Sequence, residues 1–251
     1  MIEKFAVQLY TLRHEIEQDL FSVLKDLKKM GWSGVQISAL PPKYDPAEVA
    51  HTLKELHLQA AGMHVPIGRM ENDLENVLKE TQLYETKDIV FPYLSEEMRT
   101  VESYQHVKQL LNSIAEKHPD IRVSYHNHDF ELNTMINGQT ALEYILDPKE
   151  KENKILAEID VYWIKKAGKD PLAFIRPYKN RMPIIHLKDM TNDEQETYAA
   201  LGIGTIDFKP IIEWGEKSGI EWYVVEQDEC PGDPFDSLQT SYNYIQRLIG
   251  R

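Results

Sequence analysis

The sequence predicts an α/β protein, a single (β/α)8 barrel domain over residues 1–251. Three observations lead to that class. Short runs rich in Val, Ile, Phe and Tyr alternate eight times with longer segments whose apolar residues recur every three or four positions. The chain has 251 residues, and a complete barrel of this kind needs about 250. No Ser/Gly-rich linker or low-complexity tract divides it, and no Gly-rich dinucleotide loop follows the first strand, which favours a closed barrel over a doubly wound open sheet.

In chain order, strands are predicted at residues 5–10, 34–38, 59–64, 88–91, 121–126, 155–160, 184–188 and 222–226. Between them, Leu20, Val23, Leu24 and Leu27 fall on one helical face, as do Val107, Leu110, Leu111 and Ile114, and these faces should lie against the sheet. Gly31 and Gly219 stand after helical patterns and before strands, where a residue tolerant of positive φ ends a helix at little cost. Gly202-Ile203-Gly204 lacks the third glycine and the lysine of a phosphate-binding loop and reads as a turn into a helix capped by Asp207.

Composition narrows the function. A net charge of −13 argues against general affinity for nucleic acid, whose phosphates call for clustered Lys and Arg. The opening residues lack the basic start and apolar core of a secretion signal, and no later run reaches the 20 or so apolar residues of a membrane span, so a soluble, cytoplasmic protein without membrane partners is expected. An acidic surface permits a homo-oligomer without specifying one. Cys230 is the only cysteine, which rules out an intrachain disulfide and a thiolate metal cage.

The most informative stretch is Tyr125-His126-Asn127-His128-Asp129-Phe130-Glu131. It closes the fifth predicted strand, and Asp160, His186 and Glu226 close the next three. Parallel strands that point their carboxyl ends to one face can gather such residues into one metal-sized cluster. Two imidazoles and two carboxylates suit a divalent ion such as Mn, Co, Zn or Mg. Side chains alternate along a strand, so Glu158 should lie beneath Asp160, satisfied by Lys188 or another donor. Lys188 itself shares the face of His186, where it can stabilise an oxyanion or, if desolvated, act as an acid or base. His64 ends the third strand and can bond a hydroxyl or shuttle a proton, while Trp163 can wall a pocket against the C–H faces of a sugar. Gln8 and Tyr10 at the first strand end are weaker substrate contacts. Basic residues do not cluster near any proposed ligand in sequence, apart from Lys165 and Lys166 after the sixth strand, which gives a phosphorylated substrate little support.

Together with Asp160-Val161-Tyr162-Trp163, His186-Leu187-Lys188-Asp189, Gly202-Ile203-Gly204-Thr205-Ile206-Asp207 and Val225-Glu226, this stretch resembles the xylose-isomerase-like TIM barrels of the sugar phosphate isomerase and epimerase group, over nearly the whole chain. The resemblance implies a divalent metal held by Asp160, His186 and Glu226. The group's fourth ligand is a strand-five Glu followed by Asn-His. Here His126 takes that place, with His128 the alternative and otherwise a substrate contact. By the same resemblance the protein is a metal-dependent isomerase or epimerase acting on a sugar or cyclitol derivative through an enediolate, with Glu226 as base. Epimerases of the group use two glutamates, and only Glu226 remains, so the second reading is a dehydratase or lyase similar to the inosose dehydratases. Two further classes carry less: a nuclease, from kinship with endonuclease IV barrels, and a non-catalytic sugar-binding barrel.

Overall fold

Eight parallel strands close into one barrel in the computed structural model of the chain, which describes residues 1–250. They are β1 (Phe5–Gln8), β2 (Gly34–Ile37), β3 (Gln59–His64), β4 (Asp88–Phe91), β5 (Arg122–His126), β6 (Leu156–Asp160), β7 (Ile184–Leu187) and β8 (Trp222–Val225). The first and last strands join through Phe5–Tyr223, Ala6–Val224 and Val7–Val225, so the sheet has no free edge. The principal helices between them are α1 (Arg13–Met30), α2 (Pro46–Glu55), α3 (Leu74–Leu83), α4 (Val101–Lys117), α5 (Ala141–Leu146), α6 (Val161–Lys166), α7 (Phe208–Gly215) and α8 (Pro234–Ile249). None of the helices among the described residues is long and apolar enough to cross a membrane.

Local sequence accounts for where these elements start and stop. Helix α1 buries Leu20, Val23, Leu24 and Leu27 as their spacing predicts, and ends at Gly31 with φ 104°. Asp45, Asp207 and Asp233 each accept a backbone N–H at the start of α2, α7 and α8, with Pro at the first turn of α2 and α8. Six strands are shorter than predicted, all but β1 by a single residue. The chain leaves β1 at Gln8 for a 3-10 turn, Leu9–Leu12. It leaves β7 at Leu187, just before Asp189–Met190 pairs with Tyr198–Ala199 in an antiparallel ribbon, and β8 ends at Val225. Lys188 and Glu226 therefore stand one residue beyond the barrel ladder, at its carboxyl rim.

Two layers fill the barrel. In the lower layer Ala6, Ala61, Val90, Ile184 and Val224 form an apolar plug, with Trp222 packed against it. Two residues further along their strands, the period of a pleated face, Gln8, His186 and Glu226 replace Ala6, Ile184 and Val224. Strand β3 departs from that period. Gly62, at φ 111°, coincides with a register shift against β2, and this bulge brings His64 as well as Ala61 to the interior while Met63 packs in the outer core. A cavity of about 710 Å³ at the amino ends of the strands is lined by Asp88, Arg122 and Glu221. Arg122 pairs with both carboxylates, and that end of such a barrel serves stability.

The ribbon after β7 hangs on one side chain. Buried Asp189 accepts the backbone N–H groups of Met190, Gly202, Gly204 and Ile206, at 2.8 to 3.1 Å. Gly204 lies so close that an added Cβ would meet both Met190 O and Asp189 Oδ1. The turn role expected for Gly202-Ile203-Gly204 thus has a physical cause: the loop wraps a carboxylate of the protein itself. Asp189→Ala would strand several buried donors, and we expect it to cost about 3 kcal/mol of stability. Urea unfolding checks this; a change within about 1 kcal/mol would show that the loop is held by other contacts.

Candidate active site at the carboxyl rim of the barrel

The site is built on a carboxylate buried in the barrel's upper layer. Glu158 Oε1 lies 2.6 Å from His64 Nε2, 3.2 Å from His126 Nδ1 and 3.1 Å from His186 Nε2. Its other oxygen accepts from Gln36 Nε2 at 2.5 Å. Of the donors expected for Glu158, Lys188 or another, it is not Lys188 but three imidazoles and an amide that satisfy it. Burial raises the carboxyl's pKa, but the positive field of His186 and His64 and the imidazole hydrogen bonds hold it well below the usual carboxylate range.

Above this layer stand His126, Asp160, His186 and Glu226, all buried, each offering a donor atom within 4.8 Å of the others. That is the spread of ligands around a single ion, since donors about 2.0 to 2.2 Å from a metal lie some 3 to 4.4 Å apart. A second, deeper group, His64, His126, Glu158 and His186, meets the same limit and shares two members with the first. His186 Nδ1 sits 3.0 Å from Glu226 Oε2, and Asp160 is fixed by a bond from Tyr162 N to its Oδ1 at 2.9 Å. The donor set fits a divalent cation on charge as well as shape. Glu158, Asp160, Glu226 and Asp228 face one permanent cation, Lys188, and His186 gives up its extra proton on binding an ion, so an acidic excess remains for a dication to offset.

Lys188 is not a rim lysine in water. Its side chain is buried, 3.0 Å from Asp160 Oδ2, 3.1 Å from Glu226 Oε2 and 2.6 Å from Asp228 Oδ2, with the rings of Tyr162, Trp163 and Tyr198 within 6 Å of its ammonium. Burial favours the neutral amine, yet the carboxylates of Asp160, Glu226 and Asp228 overcome it and hold Lys188 well above the ordinary lysine range. It is a fixed ammonium, suited to an oxyanion and unsuited to the role of base. Burial likewise opposes the charged form of His186, but Glu158 and Glu226 raise it to about 10 in the metal-free protein. Burial, reinforced by His186, drives His126 down to about 3, so this ring is neutral. Asp160 is pushed up by burial to about 6 against the pull of Lys188 and His186. Glu226 goes the other way: burial is outweighed by Lys188 and by His186, and the carboxyl lies well below its usual range.

A cavity of about 650 Å³ opens over these groups, lined by His64, His126 and Glu226 at its base and by Tyr10, Tyr93, Phe130, Trp163 and Tyr198 along its walls. His128 lines the cavity but belongs to neither donor group; it stacks on Phe130 with ring centroids 5.2 Å apart and lies 5.2 Å from Trp163. Of the two strand-five candidates, then, His126 joins the other three. Gln8 is fully buried and donates to Gln36 Oε1 at 2.6 Å, in the layer beneath the cavity. Lys165 and Lys166 bond the backbone of Thr205, Gln195 and Glu196, bracing the loop after β7. Sequence reading missed Gln36, whose short strand carries no motif, and Arg13 and Arg99, which reach the cavity from α1 and from the turn before α4. Asp228 lies two residues after Glu226, beyond the end of β8, and accepts from Lys188 Nζ at 2.6 Å.

Comparison with known proteins agrees with this architecture. No protein-family model matches the chain. Among curated proteins, the inosose dehydratase of Clostridium beijerinckii is 24% identical over 149 residues, which cover 52% of this chain and 49% of that protein. The inosose dehydratase of Clostridium tetani is 27% identical over 190 residues, 66% of this chain and 59% of that protein. The matches thus span about half the length of these relatives. Among solved structures, a sugar phosphate isomerase/epimerase of Parabacteroides distasonis has a TM-score of 0.76 at 22% identity, covering 98% of this chain and 94% of that one. L-ribulose 3-epimerase follows with a TM-score of 0.72 at 13% identity, over 98% and 94%, and a probable 3-DHS dehydratase of Bacillus anthracis with 0.72 at 13%, over 97% and 98%. The chain has the fold of the xylose-isomerase-like TIM barrels. Proteins of that fold include epimerases and dehydratases alike.

Asp160 both accepts from Tyr162 N and belongs to the donor cluster, which suggests a substitution that separates metal binding from folding. Asp160→Asn keeps an oxygen for Tyr162 N–H while removing the charge. We expect divalent metal content to fall about tenfold or more, with stability changed by less than about 2 kcal/mol. Elemental analysis of the purified variant is the check, and full occupancy in folded protein would remove Asp160 from the ligand set.

Proposed function

We propose that this protein is a divalent-metal-dependent enzyme that removes the proton beside the carbonyl of a sugar or cyclitol derivative and then expels a β-hydroxyl as water. One observation carries the reading. At the floor of the cavity stands a carboxylate, Glu226, with a buried ammonium, Lys188, 3.1 Å behind it beside the four-residue donor cluster, while the strand-five side offers a neutral imidazole in place of a second carboxylate. The names of the curated relatives, inosose dehydratases at 24% and 27% identity, point the same way.

A metal on His126, Asp160, His186 and Glu226 would supply Lewis acidity to adjacent hydroxyl and carbonyl oxygens, with Mn, Co, Zn and Mg all compatible with the donors. The remaining steps belong to the chain. Trp163 and Tyr198 present aromatic faces to the C–H face of the substrate. Glu226 takes the proton from carbon, and the electron pair of that C–H bond moves into the enediolate, whose oxyanion Lys188 meets with an N–H. Collapse of the enediolate breaks the C–O bond at the β-carbon. The proton held by Glu226 leaves with that oxygen as water, so the carboxylate is restored and atoms and charge balance.

Isomerisation is the second reading, because the same carboxylate can instead return its proton to the neighbouring carbon on the face it left. The structural likeness to sugar phosphate isomerase/epimerases favours it. Epimerisation asks for more: a proton delivered to the opposite face by a second group, for which His126 and His64 line the same cavity.

Glu226→Gln keeps the shape and one oxygen donor but cannot accept a proton, so kcat should fall by about 10²–10⁴-fold while substrate affinity persists. Turnover of keto-cyclitols and ketoses in D₂O, read by mass spectrometry, distinguishes the outcomes. Loss of water with an unsaturated or rearranged ketone is expected; deuterium beside the carbonyl without loss of water would select isomerisation. Wild-type turnover by metal-loaded Glu226→Gln would refute the base.

A further inference from the structure

Glu158 and the amides beneath the rim fix which nitrogen of each histidine keeps its hydrogen when the ring is neutral. An ionised carboxylate only accepts, so the NH₂ of Gln36 must face Glu158, at 2.5 Å. This turns Gln36 Oε1 toward His186 Nε2, 2.7 Å away, and toward the amide of Gln8, which donates to it at 2.6 Å. His186 Nε2 faces two acceptors, Gln36 Oε1 and Glu158 Oε1, and must carry hydrogen; Nδ1 faces Glu226 at the rim, so without an ion both nitrogens are protonated and Nδ1 is the one placed to give up its proton to a metal. His126 is held in the opposite sense. Its Nδ1 meets Glu158 Oε1 at 3.2 Å, which leaves Nε2 for the rim cluster. His64 follows suit, with Nε2 on Glu158 and Nδ1 toward the donor Gln8.

We propose that Glu158 is a positioning residue that sets the tautomers of both candidate ligand histidines, presenting His126 through Nε2 and His186 through Nδ1, with Gln36 as its intermediary on His186. The idea rests on the metal reading of the rim cluster but concerns residues that need not touch the ion. A carboxylate behind a metal-bound imidazole fixes the ring and raises its basicity, and losing such a partner typically weakens metal binding by about 10–100-fold. Here one carboxylate serves two imidazoles from different strands, β5 and β7. The deeper donor group of His64, His126, Glu158 and His186 is, on this account, a hydrogen-bond hub and not a second ion site.

The test compares wild type, Glu158→Gln and Gln36→Met by zinc competition titration and by ¹⁵N-¹H correlation spectra of the imidazoles. In zinc-loaded wild type, hydrogen should sit on His126 Nδ1 and His186 Nε2, and in metal-free wild type on His126 Nδ1. Glu158→Gln should bind zinc about 10–100-fold more weakly and lose the single tautomer at His126. Gln36→Met should disturb the His186 signal and leave His126 alone, which keeps the proposal testable should Glu158→Gln fail to fold. Unchanged tautomers with unchanged zinc affinity in the variants would overturn the proposal while leaving the metal reading standing. Zinc failing to bind the wild type would instead overturn the metal reading, and the metal-free His126 tautomer would then decide the positioning claim alone. Spectra showing zinc on His126 Nδ1 would also overturn it, since the ion would then lie in the deeper group.

Discussion

A carboxylate with no exposure to solvent sits in the middle of this barrel, and the arrangement above it depends on how that charge is satisfied. Left alone, a buried Glu158 would cost several kcal/mol. Four neighbours prevent this: imidazoles from β3, β5 and β7 and an amide from β2, so half the strands of the barrel are tied to one side chain. Rings held from below cannot turn freely. The groups at the rim are consequently preorganised by contacts that lie outside the cavity itself.

The rim repeats the logic with the signs reversed. There the buried charge is the Lys188 ammonium, and Asp160, Glu226 and Asp228 surround it. Stacking an acceptor hub under an acidic rim gives His186 a carboxylate on either side, Glu158 below and Glu226 above. One residue of this kind couples the two layers, so a change in the lower layer is felt at the upper one. The apolar plug beneath, built from Ala6, Ala61, Val90, Ile184 and Val224, completes the core without competing for the polar groups.

Much of this was legible in the sequence because strand-end residues obey a simple period. Asp160, His186 and Glu226 close predicted strands, and two-residue parity placed Glu158 under Asp160 and Lys188 beside His186. What parity cannot supply is the partner across the barrel. Glu158 meets His64 only because the Gly62 bulge shifts the register of β3, and a lone glycine in a strand does not announce that effect. Burial of Lys188 depends on Asp228 and on the ribbon carrying Tyr198, both set by loop geometry that no spacing rule encodes. Gln36 stayed invisible for a related reason: Gly34-Val35-Gln36-Ile37 looks like any short strand until the residues opposite are known.

The central claim, that the rim cluster is where a divalent cation binds, is tested most directly by anomalous diffraction from crystals grown with Mn²⁺. The account expects one strong peak, about 2.0 to 2.4 Å from donor atoms of His126, Asp160, His186 and Glu226, with Glu158 outside bonding distance. A peak ligated by Glu158 and His64, or none within reach of Glu226, would contradict it.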